Sequence, residues 1–206
     1  MTHLEGTMFV IANNLGLDLV NTRIVDNGKP LDLLTSFNDL LEWSTAVGLL
    51  DKGQAEKARK KWSGSREAAG LFKKALGLRD SLKQIAVDLA RRKAVSKHSL
   101  AELNDLLKQK SGYFEIKRTE EAYEKRFHSE TDDIGGLLVP VAESVADLLC
   151  FGDLTQVKKC EGETCVLYFY DTSKNHRRRW CSMSACGNRA KANAFYRRTK
   201  QENLSR

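Results

Sequence analysis

No run of apolar residues in this chain approaches the roughly 18 to 20 needed to cross a bilayer, so no membrane-spanning helix is expected. The opening Met1-Thr2-His3-Leu4-Glu5-Gly6 lacks a basic stretch leading into an apolar one, so no secretion signal is expected and a reducing cytoplasm is the expected compartment. Histidine is scarce and scattered: His3, His98, His128 and His176 suggest neither a metal cluster nor a triad. No constellation reads as an active site, and the protein is not expected to be an enzyme. Internal repeats and low-complexity tracts are also missing.

The first 155 residues lack any basic excess. They hold 22 Lys or Arg against 23 Asp or Glu, whereas residues 156–206 hold 12 against 4, a balance of +8. So dense a positive field on a short segment points to a polyanion, with a solvated, functionless basic face as the alternative. A length of 206 residues at 41% hydrophobic composition suits one good core plus a small module. The expected division is a helical domain over 1–155 and a second unit over 156–206.

What the second unit has is cysteine. Cys160-x4-Cys165 and Cys181-x4-Cys186 are two matched pairs about fifteen residues apart, the spacing from which two knuckles offer four thiolates to one tetrahedral zinc ion. A reducing compartment favours metal over two disulfides, and four protein ligands leave no open position, so the zinc is expected to be structural. One zinc ion with four thiolates carries −2 and lowers the module's charge to about +6, still strongly basic. Cys150, in the apolar run Val145 to Phe151, reads as a small core residue.

Periodicity in the first unit predicts helices over about Phe9 to Ile24, after Pro30 through Leu33 to Trp43, from a cap at Asp51 to Trp62, and from Ser65 to about Lys93. A further helix opens at Ser96 or Ser99. Tyr113 to Arg118 and Tyr123 to His128 suggest a hairpin across Thr119 to Ala122. A last helix is expected from a cap at Asp133, with Pro140 near its start and Gly152-Asp153 at its end. In the cysteine module, Val166 to Asp171 has strand composition and is expected to pair with Arg178-Arg179-Trp180, followed by a helix near Cys186. The fold class is therefore mainly α with a small β-hairpin, plus a treble-clef or zinc-ribbon-like four-cysteine module.

On that last helix Arg189, Asn193, Tyr196, Arg197 and Lys200 fall within a sector of roughly 100°, with Ala192 and Phe195 turned toward the hairpin. Arg and Asn on one face suit base edges in a major groove, and simple phosphate contact is the alternative. Arg177, Arg178 and Arg179 are expected at the phosphate backbone, unless Arg178 or Arg179 braces Asp171. Asn188, Lys191 and Arg198 complete the expected DNA-facing set. Trp180 reads as a core plug.

The string Cys160, Cys165, Phe169, Asp171, Ser173, Arg178-Arg179-Trp180-Cys181-Ser182-Met183 and Cys186-Gly187-Asn188-Arg189-Ala190-Lys191 resembles the CGNR zinc finger. His176 departs from the glycine or small residue common in relatives. That finger usually follows an N-terminal domain called ABATE, in proteins described as putative stress-induced transcription regulators. Asn14-Leu15-Gly16-Leu17-Asp18-Leu19-Val20-Asn21-Thr22-Arg23 is similar to the opening signature of that domain. The resemblance implies a sensing domain, in which Asp18, Asn21, Thr22 and Arg23, with Arg79, line a small-effector pocket or else satisfy the fold's own buried polar groups. The expected function is a zinc-dependent transcription regulator binding double-stranded DNA, as a homodimer and without membrane contact. An RNA-binding protein and an enzyme with an N-terminal pocket are the alternatives.

Overall fold

The computed structural model describes residues 10–129 and 134–204; His3, Phe9 and the expected cap at Asp133 lie outside the described residues. The described residues are mostly helical, with three small antiparallel strand pairs among them. Helix α1 spans Leu15–Val20, α2 Phe37–Ala46, α3 Lys52–Trp62, α4 Arg66–Ala90 and α5 Lys97–Leu107. Each starts where a short polar side chain takes up an orphan backbone N–H. Asn14 caps α1 and Ser65 caps α4, Ser36 with Asp39 and Asp51 with Gln54 form reciprocal capping boxes, and Ser96 opens α5. Helix α6, Val139–Phe151, instead opens on Pro140, whose missing N–H costs nothing in a first turn.

The expected helix from Phe9 to Ile24 shrinks to the six residues of α1. Asn13 sits in the left-handed region (φ 58°), which breaks any helix arriving from Val10. Beyond Val20, Arg23–Asp26 (β1) and Lys29–Asp32 (β2) form a hairpin on the two-residue turn Asn27-Gly28, both residues at positive φ. That dipeptide was the signal for a turn, and the apolar period through Ile24 obscured it.

Helix α4 is the central beam. Its buried stripe, Leu71, Ala75, Leu78, Leu82, Ile85, Ala86 and Leu89, recurs every three or four residues. Helices α1, α2 and α5 pack on it, and α6 packs on α1 and α5. The approach of α1 to α6 requires Gly16, because a Cβ there would collide with Val145. A second hairpin, β3 (Gly112–Arg118) with β4 (Tyr123–Ser129), occupies the expected segment. Cys150 is exposed, a correction to its expected core role, because it lies off the buried stripe Val141, Ala142, Val145 and Leu148 of α6.

The apolar cluster continues past the expected boundary near residue 155. Val157, Leu167, Tyr168, Phe169, Cys160, Cys181 and Cys186 belong to the same buried cluster as Leu17, Leu82 and Trp43. Val157–Lys159 (β5) pairs with Tyr168–Tyr170 (β6), not with Arg178 to Trp180 as expected. The arginine segment reaches the first knuckle through one backbone bond, Glu161 N–H to the Arg179 carbonyl at 3.0 Å. β6 pairs with β5 because Val157 buries against α4 while Arg177 remains exposed. A five-residue wide turn, Met183–Gly187, leads into α7, Asn188–Leu204.

Candidate metal centre and nucleic-acid interface

The four cysteines converge. Their sulfurs all lie within 4.8 Å of one another, with Cys165 Sγ to Cys181 Sγ at 3.8 Å and Cys181 Sγ to Cys186 Sγ at 3.6 Å. A tetrahedron with zinc–sulfur bonds of about 2.3 Å has edges of about 3.8 Å, so the spacing fits a metal. It is far beyond the roughly 2.05 Å of a disulfide. Two backbone N–H groups point at Cys160 Sγ, from Gly162 at 3.4 Å and Cys181 at 3.2 Å, as donors to a thiolate. Gly162 eases the close approach: a Cβ there would crowd Cys165 Cβ at 3.0 Å and Cys186 Sγ at 3.1 Å.

Four sulfurs this close share protons unequally. The neighbouring Cys165 and Cys181 thiols, against the effect of burial, pull Cys160 down to about 2, while Cys160 pushes Cys165 up to about 12 and Cys181 higher still. A divalent cation relieves this competition by replacing the shared protons. The donor set fits one structural Zn2+.

Around the centre, the expected phosphate ligand Arg178 is turned inward. Its Nε donates to the Trp180 carbonyl at 3.1 Å and its terminal nitrogen to the carbonyls of Ile11, at 2.9 Å, and Cys181. The guanidinium lies 4.2 Å from the Phe169 ring centroid. Asp171, fully buried, is raised by burial yet held below its ordinary value by Lys158 at 2.6 Å, Ser173 and the Arg178 N–H. Arg178 thus reaches Asp171 through its backbone, and Lys158, which sequence reasoning missed, supplies the countercharge. Arg177 and Arg179 are exposed, and Arg179 pairs with Glu161 at 2.7 Å. Trp180 is half-buried beside Gly187. His176 adopts φ 48°, the region glycine occupies without strain.

Helix α7 stands out from the body, packed at its root against the wide turn. Asn188, Arg189, Lys191, Asn193, Arg197, Arg198 and Lys200 are all exposed along it. Arg189, Asn193, Arg197 and Arg198 line a groove of about 990 Å³ whose opposite wall is the knuckle Glu161 to Cys165. Arg197 comes 3.7 Å from Glu163 across it. Phe195 and Tyr196, 60% and 71% exposed, form an edge-to-face pair 6.1 Å apart, so Phe195 does not turn toward the hairpin as expected; Ala192 is exposed too. The rest of the module is too small to reach that far along a 17-residue helix.

The signature residues of the helical domain face the finger and the long helix. Buried Asp18 accepts the N–H groups of Ile11 and Ala12, each at 2.9 Å; burial raises its pKa, which those bonds and the charge of Arg178 partly offset. Asn21, 1% exposed, bonds both backbone groups of Tyr168. Thr22 donates to the Leu19 carbonyl and accepts from Arg79, which also grips Asp32 through two nitrogens at 2.7 and 2.6 Å. Arg23, half-exposed, pairs with Asp32 and Asp80. Sequence reasoning missed Lys83, whose ammonium donates to the Val166 carbonyl at 3.2 Å and stacks on Tyr168; a lysine beside the apolar stripe of α4 was its only signal.

Among the described residues no helix is long and apolar enough to cross a membrane. Residues 156–199 match the CGNR zinc finger, and residues 13–152 match ABATE, described as putative stress-induced transcription regulator. A search of curated proteins gives no match. With most of its length matched by one model and the cysteine module by the other, the chain belongs to the ABATE family of putative stress-induced transcription regulators, its helical domain followed by a CGNR zinc finger.

Proposed function

We propose that the protein is a cytoplasmic, zinc-dependent transcription regulator that binds double-stranded DNA through its finger, acting as a homodimer. The observation that carries this is α7: an exposed helix with seven basic or amide side chains, rooted directly on the fourth cysteine of a metal-fitting site. Metal binding at about 10 to 16 kcal/mol would set the orientation of such an arm, because the module has little apolar area of its own. Arg177, Arg179, Lys191 and Lys200 supply phosphate contacts, and Arg189, Asn193 and Arg197 are the candidates for base edges. Arg178 is removed from that set by its internal bonds.

For the helical domain we infer a relay. Asp18, Asn21, Thr22 and Arg79 bond to the fold and to the finger, so a stress signal or small effector acting on this domain would reach the finger through them. RNA is the competing polyanion, since charge alone does not separate the two. Competition of a labelled duplex against unlabelled duplex and RNA of equal length tests the choice. Preferential displacement by duplex supports the DNA function, and preferential displacement by RNA replaces it.

A further inference from the structure

Helix α7 carries two aromatic rings that stand clear of the body. Phe195 and Tyr196 are 60% and 71% exposed and pack edge to face on each other, centroids 6.1 Å apart and planes at 71°, a contact that braces the Tyr196 ring. Around the helix Tyr196 lies about 20° from Arg189, about 40° from Lys200 and about 60° from Asn193, inside the sector assigned above to base contacts. Residues 188–200 hold five Lys or Arg and no Asp or Glu. Among the described residues Arg197 alone of those five has an acidic partner, Glu163 at 3.7 Å.

We propose that Tyr196 contacts the C5-methyl group of a thymine in the major groove, a specificity-determining residue beyond those named above; this rests on the DNA-binding reading and adds to it. An aromatic ring set among unpaired cations and an amide fits an apolar group embedded in a polyanion, and the thymine methyl is the apolar group that base edges present in that groove. A second copy of α7 would bring five cations against five. A lipid surface or an apolar partner helix needs a continuous stripe, whereas Ala190 and Ala194 fall on the far side of α7 and line the groove over the knuckle. Tyr196 stands about 4.5 Å beyond Asn193 along the helix, against about 3.4 Å between stacked bases, so the thymine should neighbour the base pair that Asn193 contacts.

Binding of the full zinc-loaded chain to a duplex selected from a random pool, with thymines replaced one at a time by deoxyuridine, removes only the methyl and reads the contact directly. At one position the wild type should lose about three- to fivefold in affinity, the contribution of one buried methyl group, and Tyr196→Ala should bind the two duplexes equally. Tyr196→Phe should keep the wild-type discrimination, because the ring makes the contact. Both variants should keep the wild-type circular dichroism, since Tyr196 covers no core. Duplex binding indifferent to every replacement overturns the proposal and leaves the DNA-binding reading standing. Equal weakening of Tyr196→Ala and Tyr196→Phe on all duplexes also overturns it, in favour of a hydroxyl bound to phosphate. Absence of duplex binding by the wild type overturns the proposal and the DNA-binding reading together.

Discussion

The side chain of Asn21 stands in for a β-strand against Tyr168: its Oδ1 accepts the Tyr168 N–H at 2.9 Å and its Nδ2 donates to the Tyr168 carbonyl at 2.8 Å. β5 covers one edge of β6, and this amide, with the Ala12 carbonyl accepting from Tyr170 at 2.8 Å, covers the other. The helical domain and the finger are therefore joined by backbone satisfaction as well as by a shared core.

Asn21→Leu keeps the branched shape and removes both bonds, leaving a buried donor and a buried acceptor unsatisfied. Each costs about 1 to 3 kcal/mol, so a loss of about 2 to 6 kcal/mol is expected in chemical denaturation. Hydrogen exchange should rise at Tyr168 and along β6 while α5 is unchanged. Unaltered protection of β6 would mean that the amide is not what holds the finger.

Arg178→Lys should destabilise the finger by about 2 kcal/mol, because an ammonium cannot reproduce the planar fork to the Ile11, Trp180 and Cys181 carbonyls or the stack on Phe169. The salt slope of DNA binding by the folded variant should stay within experimental error of wild type. A slope flatter by about one unit with full stability would return Arg178 to the phosphate contacts.

Asp32 contributes to the acid response of the helical domain. Burial raises its pKa, but the hydrogen bonds from Arg79 and Leu34 and the charge of Arg79 outweigh that and hold it below the ordinary 3.8. The folded state therefore prefers the ionised form, so the stabilisation is present above about pH 4 and lost as pH falls through the depressed value. Asp32→Asn should cost about 2 to 3 kcal/mol at neutral pH, less than a fully buried broken pair because Asp32 is a third exposed. Unfolding free energies of variant and wild type should converge as pH falls through the depressed value of Asp32. A constant difference across the whole range would remove the ion pair as the cause.

Glu161 and Glu163 pair with Arg179 and Arg197 and would compete with phosphate for them. The double change to Gln should tighten duplex binding several-fold at low salt and steepen the salt dependence by up to about two units, one per released guanidinium. Unchanged affinity would show that nucleic acid does not approach this wall of the groove.

Local chemistry was legible in the sequence wherever one segment sufficed. The four cysteines, the caps at Ser65 and Asp51 and the stripe of α4 follow from spacing within a few turns. Long-range pairing was not. Nothing near Val166 to Asp171 says that its strand partner is Val157 rather than Arg178, since that choice depends on α4 offering an apolar wall to Val157. The meaning of Asn21 was hidden for the same reason: its partner lies 147 residues away, and the two stay unconnected until the finger docks. The hairpin at Asn27-Gly28 was readable, but it was overridden by an apolar period that continued by chance through Ile24.

The central claim, that a metal-ordered finger binds duplex DNA through α7, is tested most directly by fluorescence anisotropy of the full chain on a duplex selected from a random pool. Zinc-loaded protein should bind in a salt-dependent manner, lose binding when a chelator removes one zinc per chain, and regain it on zinc return. Arg189→Ala should cost about 1 to 3 kcal/mol on the selected duplex and little on a scrambled one. Binding indifferent to chelation, or equal losses on both duplexes, would contradict it.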